Sequence, residues 1–108
     1  MAKTLRIAII GAGPAGLAAG RELLQQGFAD FTIFDALDAP GGTWQLHSYP
    51  GLACDVWAHS YSFSYAPNPD WSANFVEQSE IQAYLARCAT LFGLDPHLHL
   101  NTRIVRAQ

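Results

Sequence analysis

Charge is scarce in this chain: only 14% of its 108 residues are Asp, Glu, Lys or Arg, and the formal net charge is -3. The six Lys and Arg lie scattered from Lys3 to Arg106, so no basic block exists to follow a phosphate backbone, which excludes the electrostatic footprint of a nucleic-acid binder. Cysteine is nearly absent. Cys54 and Cys88 show no CxxC spacing and cannot build a disulfide framework, a usage that suits two buried thiols in a reducing cytoplasm. No apolar run is long enough to span a membrane. The stretch IAII after Lys3 and Arg6 is cut by Gly11, Gly13 and Pro14, which would break the helix of a signal peptide. His47, His59, His97 and His99 are too dispersed for a metal site, and Ser60, Ser62 and Ser64 lack the GxSxG elbow of a serine nucleophile.

What is present is an ordinary globular balance, with half the residues hydrophobic and enough length for one small core. Residues 5 to 10, LRIAII, read as a short buried strand. A helix should run from Pro14, which suits a first turn, to about Gln26, with Gly27 placed to end it. DFTIFD at 30 to 35 reads as a second buried strand, and strand, helix and strand within about thirty residues make a βαβ unit. Residues 36 to 76 show no helical period, yet hold eight of the thirteen aromatic residues. Within them Tyr61, Phe63 and Tyr65 alternate with serines, the pattern of one strand face. The segment SEIQAYLARCATLFG predicts a second helix. Ile81, Tyr84, Leu85, Cys88, Leu91 and Phe92 lie on its core face, Ser79 with Gln82 forms a capping-box pattern, and Gly93 marks the stop. LHLNTRIVRA is strand-like again, and the chain then reaches Gln108 with no closing element.

Gly11, Gly13 and Gly16 form GxGxxG where the first strand meets the first helix. Gly11 permits the tight turn, Gly13 lets the backbone approach a pyrophosphate, and Gly16 lets the helix pack closely on the sheet. With Pro14 and Ala15 they form a helix start whose free N–H groups and positive dipole end favour an anion. Asp35, nineteen residues past Gly16 at the end of the second strand, is placed to accept hydrogen bonds from a ribose. The pattern predicts an α/β fold, a Rossmann-like dinucleotide-binding βαβ unit on a parallel sheet, and leaves the choice of NAD or FAD open.

A second motif follows directly. In GGTW the paired glycines, Gly41 and Gly42, let the backbone pass beneath a ligand, Thr43 offers a hydroxyl, and Trp44 offers a flat wall with one donor. These suit a flavin ring, whereas an NAD-dependent dehydrogenase domain has no need of them.

In this order, GAGPAGL, the acidic strand end, GGTW, YPGLACD, YSFSY, EIQAYL and FGL resemble the N-terminal part of class B flavin-containing, NADPH-dependent monooxygenases, the group that includes the Baeyer-Villiger enzymes. The resemblance covers essentially the whole chain. It implies FAD held by Gly11, Gly13 and Gly16, with its ribose on Asp35, where most relatives carry Glu. It further implies Gly42, Thr43 and Trp44 near the flavin, Asp55 and Tyr61 beside the isoalloxazine and the arriving nicotinamide, with Asp55 the catalytic candidate, and adenine contacts from the strand at Ile104. In such enzymes NADPH reduces the flavin, oxygen is taken up, and one oxygen atom enters a small organic substrate. The resemblance makes residues 1–108 one truncated FAD-binding domain, inactive by itself, because the family's second glycine motif for NADPH and its later FxGxxxHxxxW fingerprint are not within these residues. A non-catalytic nucleotide-binding remnant and an NAD(P)-dependent dehydrogenase domain are the competing expectations.

Overall fold

A computed structural model describes residues 4–49, 51–55 and 58–108. Strand β1 (Ile7–Ile10) leads into helix α1 (Pro14–Gln25), which returns the chain to strand β2 (Phe31–Phe34). A four-residue helix α2 (Thr43–Leu46) and a 3-10 turn at Ala58–Ser60 precede helix α3 (Gln78–Leu91), and strand β3 (Leu98–His99) follows a 3-10 turn at Asp95–His97. The sheet is parallel in the order β1-β2-β3, with Ile7 opposite Phe31, Ile10 opposite Phe34, and Ile33 opposite Leu98.

Apolar spacing on the helices and the inner face of β2 builds the core. Leu17 of α1, Ile33 of β2, Ile81 of α3, Val76 and Leu94 are fully buried. Gly20 lets α1 settle onto this cluster, because a Cβ there would lie 2.9 Å from a Leu94 methyl and 3.0 Å from that of Ile33. The close helix–sheet approach therefore falls on Gly20, while Gly16 answers a different demand described below.

Several expectations change. β1 is not buried on all sides: Ile10 is 64% exposed, since no strand among the described residues pairs with its outer edge. Tyr61, Phe63 and Tyr65 do not share a strand face. The 3-10 turn before them and a tight turn pairing Phe63 with Ala66 break the period of two, so Tyr61 meets Trp44 while Phe63 and Tyr65 pack on Phe92. Helix α3 begins one residue before Ser79, with Glu77 as its N-cap and no side-chain cap, so the Ser79–Gln82 capping box does not form. Leu91 lies outside the core, 72% exposed, and the final strand stops at His99. GGTW opens a helical turn where no helical period is visible, because four residues are too few to show one.

Tyr84 ties the aromatic loop to α3. Its buried hydroxyl donates to the Ala66 carbonyl (2.6 Å) and accepts the Phe63 N–H (2.9 Å). Burial pushes its pKa up to about 12 from the ordinary 10.0, and also pushes the Cys88 thiol up. The fold thus favours the neutral phenol. That contribution to stability is whole below about pH 10 and fades as pH rises toward about 12. Tyr84→Phe leaves both backbone groups unpaired and should lower the unfolding free energy by about 1 to 3 kcal/mol in a urea titration at neutral pH. It should also flatten the alkaline fall in stability. An unchanged midpoint would contradict this role.

Candidate functional site

The β1–α1 turn is closed by Gly11, whose N–H donates to the Phe34 carbonyl at 2.7 Å and whose φ of +106° favours glycine. Gly16 is held to glycine by the same turn: a Cβ there would stand 1.9 Å from the Gly11 carbonyl oxygen. Helix α1 starts with no side-chain cap. Leu17 makes the first backbone bond, to Gly13, and the N–H groups of Gly13, Ala15 and Gly16 have no acceptor among the described residues. A helix start left with unpaired donors and no capping acid suits an anion such as a pyrophosphate.

Asp35 follows β2 and is half-buried at the edge of this turn. One carboxylate oxygen accepts the Ala12 N–H at 2.7 Å, and the other accepts the Leu37 N–H at 2.9 Å. A carboxylate offers about four lone-pair positions, so two remain for ribose hydroxyls. The carboxylate also fixes the glycine loop from within the protein. Asp35 lines a pocket of about 140 Å³ with Ile10, Gly11, Phe34, Ala36, Thr102, Arg103 and Ile104. The backbone brings that last segment in: the Thr102 N–H donates to the Asp35 carbonyl at 2.8 Å, and the Asp35 N–H donates to the His99 carbonyl at 3.2 Å.

The GGTW turn lies against the glycine loop. The Gly41 N–H donates to the Ala12 carbonyl at 2.9 Å, and a Cβ on Gly42, whose φ is +59°, would come within 3.0 Å of the Gly13 Cα. The paired glycines thus let two backbone segments cross. Thr43 is exposed at the start of α2, and the Trp44 indole donates to the Tyr61 hydroxyl at 2.9 Å with the rings edge to face. A second pocket, about 250 Å³, opens from Pro14 to Tyr61, Ser62 and Phe63. A larger hollow of about 670 Å³ contains no residue of either glycine motif.

Of the sequence-predicted residues, Gly11, Gly13, Pro14, Ala15, Gly16, Asp35 and Ile104 gather around the α1 start and its adjoining pocket. Gly42 touches that group, and Trp44 pairs with Tyr61. Asp55 stands apart, exposed and with no hydrogen bond to the described residues. Pro50 of YPGLACD lies outside the described residues. Sequence reasoning missed Ala12, whose N–H and carbonyl serve the two motifs, and Thr102 and Arg103, which only the fold brings to Asp35. Gln78 and Gln82, whose amides reach the GGTW turn, were also missed. No signal in the helix period singles them out, since their partners lie 34 and 42 residues away. Among the described residues no three His, Cys, Asp or Glu side chains are grouped to hold a metal ion, and no helix is long and apolar enough to cross a membrane.

A parallel βαβ unit with an open, glycine-lined helix start and an acid at the end of β2 defines a dinucleotide-binding fold. The model of the NAD(P)-binding Rossmann-like domain matches residues 9–78, and the chain belongs to that family. It is 47% identical over 102 residues to a Baeyer-Villiger monooxygenase of Streptomyces coelicolor, a match covering 94% of this chain and 20% of that protein. The solved structure of oxidized steroid monooxygenase bound to NADP aligns with a TM-score of 0.84 at 36% identity, over 91% of this chain and 19% of the other. That of OTEMO in complex with FAD and NADP aligns with a TM-score of 0.85 at 30% identity, over 96% and 20%. The chain spans about a fifth of the length of the relatives it matches.

Gly16→Ala should destabilise the chain by about 3 kcal/mol in chemical denaturation, because the methyl meets a backbone carbonyl that cannot move without opening the β1–α1 turn. A variant as stable as the parent would show that the turn is not packed as described.

Proposed function

We propose that these residues are the FAD-anchoring portion of a monooxygenase that uses NADPH and oxygen to insert one oxygen atom into a small organic substrate. The observation that carries this reading is the crossing of the two glycine motifs: the phosphate-type loop at Gly13 lies against the GGTW turn at Gly42. A nicotinamide dehydrogenase needs only the first of these. The named relatives and the FAD- and NADP-bound structural neighbour support the same assignment.

The residues present fit the cofactor in parts. Unpaired N–H groups at Gly13, Ala15 and Gly16 would hold the pyrophosphate, Asp35 the adenosine ribose, and the backbone near Ile104 the adenine side of the pocket. Gly42, Thr43, Trp44 and Tyr61 would border the path toward the flavin. Asp55 is assigned to the nicotinamide side of the site, where its exposed carboxylate is free to meet groups not found in these residues. Bound FAD supplies the redox chemistry. The chain's own contribution is to bind and orient it, and with a single GxGxxG it anchors the flavin without turning over NADPH. Two free buried thiols, Cys54 and Cys88, support a reducing cytoplasmic setting.

Fluorescence titration with FAD tests the assignment. Asp35→Asn should weaken binding by about 1.5 to 3 kcal/mol, through loss of charge-assisted bonds to the ribose and a weaker hold on Ala12. Asp55→Asn, an exposed and unpartnered change, should cost about 0 to 1 kcal/mol. The reverse ranking would overturn the assignment of Asp35 to the ribose.

A further inference from the structure

We infer that Gln78 and Gln82 are positioning residues for the flavin wall, fixing the Trp44 indole by closing the two ends of the GGTW turn from helix α3. The inference rests on the FAD reading above for its functional consequence, and on the geometry of the turn for its mechanism.

A four-residue helix satisfies few of its own carbonyls. Within the turn, the Gly41 carbonyl accepts the Trp44 N–H (3.1 Å), the Gly42 carbonyl accepts the N–H groups of Gln45 (3.0 Å) and Leu46 (2.9 Å), and the Thr43 carbonyl accepts the His47 N–H (3.0 Å). Pro40 and Trp44, which bracket this run, receive no backbone donor among the described residues. Each is met by a glutamine. The Gln82 side-chain amide donates to the Pro40 carbonyl at 3.2 Å, and the Gln78 side-chain amide donates to the Trp44 carbonyl. Positions four apart on a helix lie on one face, so the first two turns of α3 present both amides to the same loop. The Gln82 side chain also covers Gly41, where a Cβ would stand 3.4 Å from its Cγ.

The consequence for the site follows from what Trp44 does. Its backbone carbonyl is held by Gln78 and its indole N–H by Tyr61, so the residue is restrained at its backbone and at its ring. Helix α3 is rigidly seated through buried Ile81, Tyr84 and Leu85. The glutamines thereby transmit the rigidity of the core to the side chain proposed to border the flavin. Loss of either amide leaves a carbonyl unpaired and frees the turn to shift, without removing any group from the ligand path.

The experiment uses the 108-residue chain labelled with nitrogen-15, whose three tryptophans give three indole N–H signals that single Trp→Phe variants assign. In Gln78→Met, and separately in Gln82→Met, the Trp44 indole signal should shift or broaden while that of buried Trp71 stays in place as the control for folding. FAD should then bind roughly five- to tenfold more weakly, the worth of about one hydrogen bond. Gln78→Glu provides a readout that packing alone would not move. Its carboxylate cannot donate at neutral pH, but the protonated acid can, so the parental Trp44 signal should return on acidification in Gln78→Glu and not in Gln78→Met. A Trp44 signal unmoved in a folded variant overturns the positioning role. A moved signal with unchanged FAD affinity overturns its link to the ligand. Failure of the parent chain to bind FAD instead overturns the proposed function, and the indole signals still decide the geometry.

Discussion

The site depends on the close passage of one backbone over another at Gly13 and Gly42. A Cβ on Gly42 would press on the Gly13 Cα at 3.0 Å, while one on Gly13 would meet the Gly42 Cα in ordinary contact at 3.4 Å. The bond from the Gly41 N–H to the Ala12 carbonyl fixes the register of that crossing. Ala12 also gives its N–H to Asp35, so the acid after β2, the glycine loop and the GGTW turn are joined through a single peptide neighbourhood. These bonds hold the three elements in fixed relation within a short chain.

Asp35 shows how side-chain length is used. The short side chain keeps its carboxylate against the loop, with one oxygen on Ala12 and one on Leu37. The charge therefore holds the glycine loop from within the protein. Its backbone repeats the pattern, pairing with His99 and Thr102 and drawing the segment at Ile104 to the pocket.

Much of the fold was legible because the relevant signals are local. IAII and FTIF, the proline at the start of α1 and the glycines at 27 and 93 set element boundaries close to those observed. GxGxxG with Asp35 located a helix start and an acid that the structure brings together. The less legible parts depend on contacts between distant segments. Nothing in the period of α3 marks Gln78 and Gln82 as partners of Trp44 and Pro40, and the separations are 34 and 42 residues. The alternation in YSFSY resembled a strand face, but the fold placed a turn there and divided the aromatics between Trp44 and the Phe92 cluster. Gly20 gave no sign of its tight packing against Leu94 and Ile33, because a lone glycine inside a helix carries no pattern.

The central claim is that the glycine loop and the GGTW turn form one continuous edge for a single FAD molecule. Backbone amide signals followed during titration with ADP and then with FAD test it most directly. ADP should perturb Gly13, Ala15, Gly16 and the pocket at Asp35, Thr102 and Ile104, and FAD should add perturbations at Gly42, Thr43 and Trp44 at the same midpoint as those of the loop. Perturbations by FAD confined to the glycine loop, or arising at the GGTW turn with a separate midpoint, would contradict the account.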